Sequence, residues 1–64
     1  MTKYKVTSKG AVITVLTNND SYDILLSEGI ILSYDGENLL FNGSLCSDRI
    51  DWHINRGSLE KIDT

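Results

Sequence analysis

No proline interrupts the chain, and it holds one cysteine (Cys46), one histidine (His53) and one tryptophan (Trp52). A single cysteine excludes an intramolecular disulfide framework and any paired-cysteine zinc site. No apolar run approaches the roughly 18 residues that a membrane span needs. The opening MTKYKV has no apolar leader, so the expected compartment is the cytoplasm. Phosphate-binding glycine loops, dinucleotide fingerprints and nucleophile elbows are all missing. Basic residues are absent from Gly10 to Asp48, a span holding the acids Asp20, Asp23, Glu28, Asp35, Glu37 and Asp48. That distribution argues against nucleic acid as the main partner, because such binding rests on a clustered basic footprint.

Sixty-four residues make a single domain near the lower limit of independent folding. A chain this short buries only about 60% of the surface its unfolded form exposes, so a large enclosed cleft is not expected. Self-association, as a homo-oligomer, is a natural source of further burial for so small a core.

With no proline, each of the five glycines falls at a break between elements, and Asn18-Asn19-Asp20 forms a further loop without one. EGIILSY, DGENLLF and NGSLCSD follow one another as glycine-led units, each long enough for one short strand. Asp-Gly and Asn-Gly between apolar runs are strong hairpin signals, because a type I′ turn needs positive φ at both central residues. Two-residue turns at Asp35-Gly36 and Asn42-Gly43 set Leu32 opposite Leu39, Ile30 opposite Phe41, Leu39 opposite Cys46 and Leu40 opposite Leu45. One face of this meander then carries Ile30, Leu32, Tyr34, Leu39, Phe41 and Cys46. Upstream, KYKVTSKGAVITVLT reads as a hairpin turning at Lys9-Gly10, with Tyr4 and Val6 opposite Val15 and Ile13. SYDILL is a further strand, turning at Ser27-Glu28-Gly29 into the meander.

RIDWHINRG fits two periods. As a strand it alternates cleanly and buries Trp52. As a helix over 48–56 it has Ser47 or Asp48 as N-cap, Asp51 in the first turn, Arg56 in the last and Gly57 beyond the end. The helix is preferred, because Leu59 and Ile62 do not continue a hairpin; a strand follows at 58–62. Ile50 and Ile54 then face the core, and Trp52 points outward between Arg49, His53 and Arg56. The fold class is mainly β (α+β): a small antiparallel, barrel-like meander of five to six short strands with one short C-terminal helix.

Candidate chemistry is sparse. His53 beside Asp51 and near Cys46 lacks the held nucleophile, base and orienter of a catalytic set and the ligand count of a zinc site. It is expected at the surface or boundary, with Cys46 as core packing. Asp35/Glu37 and Asp20/Asp23 lie in turns, where carboxylates serve local hydrogen bonds. No catalytic residue, metal or cofactor is assigned. For protein binding the candidates are Trp52, Arg49 and Arg56, residue types enriched in interface hot spots, and the acidic turn residues Asp35 and Glu37. An exposed Trp52 competes with one that closes an end of the core. Nucleic-acid or nucleotide binding through Lys3, Tyr4, Lys5 and Lys9 is the alternative, since an aromatic between lysines suits base stacking.

The compact chain beginning MTKYKV, its punctuated meander EGIILSYDGENLLFNGSLCSD and its ending IDWHINRGSLEKI resemble in style the very short accessory proteins of bacteriophages and prophages. The resemblance spans the full length, rests on no family motif and carries no site residues across. It implies a protein that binds and disables or redirects a host protein, nucleases of defence systems among them.

Overall fold

A computed structural model describes residues 1–62. Strands β1 (Thr2–Val6), β2 (Ala11–Leu16), β3 (Ser21–Leu26), β4 (Ile31–Tyr34), β5 (Leu39–Phe41) and β6 (Ser44–Cys46) precede helix α1 (Ile50–Arg56) and strand β7 (Leu59–Ile62). All pairings are antiparallel, in one seven-stranded open sheet of order β3-β2-β6-β5-β4-β1-β7. The chain is mainly β with one short helix, and it has one more strand than the upper sequence expectation.

The sheet is organised by one long hairpin folded across itself. β1 runs on into β2 and β3 into β4; β2 pairs with β3, and β1 with β4. The ladder continues through the corner, where Val6 N–H donates to the Ile30 carbonyl and Gly29 N–H to the Val6 carbonyl, both at 2.9 Å. Lys5 faces Ile31 and Ala11 faces Leu26, so the β1–β2 arm spends one residue more than its partner across the bend. An extra residue on one strand bends and twists it, as in a β-bulge. The bend sends β2 and β3 to one end of the sheet and β1 and β4 towards the other. β5 and β6 fill the gap, giving a barrel-like curl with β3 and β7 as free edges.

This arrangement overturns the expected β1–β2 hairpin. Lys9-Gly10 lacks the Asn or Asp that accepts positive φ, and only Gly10 takes it, at +70°. The chain turns a corner there and does not reverse. Asn42 and Gly43 do both adopt positive φ, 51° and 84°, and the pairs Leu39–Cys46 and Leu40–Leu45 follow as expected. At Asp35-Gly36 only the glycine has positive φ. The Asp35 carboxylate accepts the N–H groups of Glu37 and Asn38, at 2.8 and 2.7 Å, and widens the connection to residues 35–38. Leu39 therefore pairs with Tyr34 and Leu40 with Ser33, two residues from the expected register. A shift of two keeps every side chain on its face. Leu32, Leu39 and Cys46 are buried, and Ile30, Tyr34 and Phe41 pack against them. Val6, Ile13, Val15 and Leu26 complete the centre of the core.

RIDWHINRG is a helix, shorter than expected at its N-terminal end. Arg49 is the N-cap, with no side-chain cap bond, in place of Ser47 or Asp48. Gly57 closes the other end in the left-handed conformation, its N–H reaching the Ile54 carbonyl while Ser58 N–H reaches that of His53, both at 3.0 Å. β7 then pairs with β1.

Gly10 is the most constrained turn glycine: a Cβ there meets the Leu26 carbonyl oxygen at 3.2 Å, whereas one at Gly43 meets nothing within 4 Å. Both have positive φ, so Gly43→Ala should cost about 1 kcal/mol and Gly10→Ala distinctly more, about 2 kcal/mol. Urea midpoints of the two variants measure this; equal losses would show that the corner tolerates the extra atom.

Candidate functional site

β6 ends at Cys46, and the chain crosses the open flank of β2 before entering α1. Ser47 N–H donates to the Thr14 carbonyl at 3.0 Å, and Thr14 N–H donates to Asp48 Oδ1 at 2.6 Å. The other Asp48 oxygen, Oδ2, lies 3.0 Å from His53 Nε2. Nε2 carries a proton in this pair, because the opposite tautomer would set two acceptors face to face. One carboxylate thus joins strand β2 to helix α1. Asp48 serves this bridge and leaves the cap position to Arg49.

His53 is only 1% exposed, against the expectation of a surface or boundary residue. Its partner is Asp48, not Asp51. Ile50 and His53, one helical turn apart, face the interior, while Ile54 is 40% exposed and points away from the core it was expected to join. The bridge explains the exchange: with Nε2 held by Asp48, the imidazole takes the inward position. Its Nδ1 is buried without a hydrogen-bond partner and presents nothing to a substrate. Among the described residues, no three of His, Cys, Asp and Glu gather to hold a metal.

Burial of His53 sets Trp52 outside, 54% exposed. The Arg56 guanidinium carbon sits 4.5 Å from the centre of the indole, and the His53 ring meets it edge-on at 5.0 Å. Lys9 Nζ donates to the Arg56 carbonyl at 3.0 Å, and the Thr7 hydroxyl donates to the Gly57 carbonyl, tying the end of α1 to the β1–β2 corner. Val12 and Leu25 face one another across β2 and β3 and are 52% and 76% exposed. Lys9, Val12, Leu25, Trp52 and Arg56 line a groove of about 190 Å³, with buried His53 and Ser58 among its walls.

The sequence candidates divide between several places. Trp52 and Arg56 share this groove. Arg49 and Glu37 line a second, more open hollow together with Asp48 and Asp51. Asp35 stays in its turn, where the Asn38 and Glu37 N–H groups hold its carboxyl below the usual carboxylate range. Of the basic set, Lys3 and Lys5 share the outer face of β1, and Lys5 lies 3.8 Å from Glu60. Tyr4 points to the opposite face, edge-on to Tyr34 at 6.3 Å, and Lys9 belongs to the groove. Sequence reasoning passed over Val12, Leu25 and the role of Asp48. For Val12 the available signal was AVITVL, in which two of the three outward positions, Val12 and Leu16, are apolar; for Leu25 it was the adjacent apolar run Ile24–Leu26 of SYDILL.

The chain matches no family model, no curated protein and no solved structure. Among the described residues, no helix is long and apolar enough to cross a membrane.

Two predictions test the bridge and the core thiol. Asp48→Ala leaves Thr14 N–H and His53 Nε2 without their acceptor and should cost about 2–3 kcal/mol in denaturant unfolding. Asp48→Asn, which keeps one carbonyl oxygen, should lose roughly half of that. A loss under about 0.5 kcal/mol for the alanine variant would mean that the bridge is incidental. Burial first, and the charge of Asp48 second, push the Cys46 thiol above its ordinary range. A raised folded-state pKa favours the native state while the thiol is protonated, and that contribution is lost as pH rises through the raised value. At neutral pH, Ellman's reagent should react with Cys46 at the rate of unfolding events; fast labelling of the native protein would contradict this.

Proposed function

We propose that this chain is a non-enzymatic protein-binding module, a phage-type inhibitor or modulator that acts in the cytoplasm by occluding a surface of a host protein. The observation that carries the reading is Trp52: half-exposed, covered on one face by Arg56, and mounted on a helix tied down at its middle through His53 and at its C-terminal end through Arg56. Tryptophan and arginine dominate binding hot spots, and an anchor held in place before binding loses little entropy on docking. Val12 and Leu25 extend the apolar area beside it. Arg49, Asp35 and Glu37 lie outside the groove, where charge acts on steering more than on affinity.

Nucleic-acid or nucleotide binding through Lys3, Tyr4, Lys5 and Lys9 has less support. Tyr4 and its neighbouring lysines lie on opposite faces of β1, so no stacking ring sits among the charges.

The test is a tagged pull-down from bacterial lysate, with and without nuclease, comparing the wild type with Trp52→Ala. One stoichiometric protein should survive nuclease and fall by about tenfold or more with the alanine variant, as for a hot-spot truncation. Capture that vanishes with nuclease, or that ignores the substitution in a variant of unchanged circular dichroism, refutes the reading.

A further inference from the structure

Resting on the binding-module reading, we propose that the groove between β2 and α1 takes an extended acidic peptide segment of the partner. One large apolar side chain lies on Val12, Leu25 and Trp52, and its flanking carboxylates reach Lys9 and Arg56. Three observations on different links of the structure lead there.

The first is charge. The chain carries a net charge of -3, yet the charged side chains lining this groove, Lys9 and Arg56, are both cationic. Among the described residues Lys5 pairs with Glu60 and Asp48 with His53, so neither groove cation has a carboxylate partner there. Lys9 spends one N–H on a backbone carbonyl, and Arg56 lies over the indole. Both keep donors for an incoming anion.

The second is apolar area. Val12, Leu25 and Trp52 each expose more than half of their surface, and all three line the same groove. A space of about 190 Å³ suits one side chain and is too small for a folded element.

The third is the backbone of β2. Thr14 directs both its N–H and its C=O toward the β6 side, to Asp48 and Ser47. The two-residue period of a strand turns the N–H and C=O of Val12 to that same side, where β6 has already ended. On the flank that β6 leaves open, these main-chain groups would suit the backbone of an extended segment, as in strand addition. Single-stranded nucleic acid also combines anions with a large ring. Yet two cations and one tryptophan, already stacked on its own arginine, make no track along a phosphate backbone.

Trp52 is the sole tryptophan of the chain, so its emission reports directly on the groove. The probe is a capped synthetic peptide with one phenylalanine between glutamates, titrated into the full chain. A saturable change in emission is expected, weakening by about tenfold or more as salt rises from about 0.05 to about 0.5 M. Lys9→Glu and Arg56→Glu should each weaken it by about tenfold or more, as should replacing the peptide's phenylalanine with serine or its glutamates with lysine. Lys9→Gln and Arg56→Gln, checked by thermal unfolding, separate lost charge from lost fold. Equal binding of the lysine peptide, no response at millimolar peptide, or saturation by oligothymidylate overturns the proposal. So does an emission change with protein concentration alone, which identifies a second copy of the chain as the occupant. In the pull-down, capture lost with Trp52→Ala but retained with both charge reversals removes the acidic partner and keeps the binding module. Capture indifferent to Trp52 removes the module itself.

Discussion

The Asp48 carboxylate holds together parts of the chain that nothing else joins in the same way. One oxygen ends the β2 ladder by taking the N–H of Thr14, and the other fixes His53 of α1. A backbone donor at the flank of a strand and an imidazole enclosed by the core both need an acceptor, and leaving either unpaired is costly. One anion serves both. The rotation of the helix follows: with His53 inward, Trp52 and Ile54 must face out, and Arg56, one turn beyond Trp52, falls over the indole. The groove lies beside the place where β6 gives way to the helix, so its existence depends on the same carboxylate.

A second constraint is the bend of the long hairpin. A flat sheet of strands this short has one face to bury and nothing of sufficient size to cover it. Folding the hairpin across itself lets the sheet supply its own opposite wall. Val6 at the end of β1, Ala11 and Ile13 in β2, Leu26 in β3 and Leu32 in β4 then point into one interior. Much of the contact that makes the core is between residues far apart in sequence. The short C-terminal helix and β7 complete the enclosure with Ile50 and Leu59.

The parts of this fold that were legible in the sequence are those governed by local chemistry. Asn42-Gly43 specifies its own turn, and with it the Leu39–Cys46 and Leu40–Leu45 pairs. Gly57 ends a helix by its own conformational freedom, and Cys46 sits inside because alternation places it there. Failures came where a distant group competes for the same atoms. Asp48 is a good cap by type, but Thr14, 34 residues away, and His53 claim its oxygens. Asp35 turns a two-residue hairpin into a wider loop by accepting two backbone N–H groups, a choice that the Asp-Gly pair alone does not reveal. Lys9-Gly10 resembles a hairpin turn in spacing, but Lys9 stands where an Asn or Asp would accept positive φ before the glycine. For the candidate site, Trp52 and Arg56 could be named from helical geometry. Val12 and Leu25 could not, because their place beside the helix depends on the long-range bend.

The distribution of charge completes the physical account. The edge strand β3 exposes Leu25 and Tyr22, and a free apolar edge invites pairing with other chains. Asp20, Asp23 and Glu28 lie in or beside that strand, where like charges on approaching copies repel. The basic groove has a structural origin as well. Carbonyls at the C-terminal end of a helix lack partners and favour cations, and Lys9 reaches one of them from the β1–β2 corner. The corner and the helix end meet only because the hairpin bends and Asp48 holds α1 against β2. A stabilising cation is thereby set beside Arg56, next to an exposed tryptophan. The same contacts that finish the fold leave one small region of a negatively charged protein in which the charged lining side chains, Lys9 and Arg56, are both cationic.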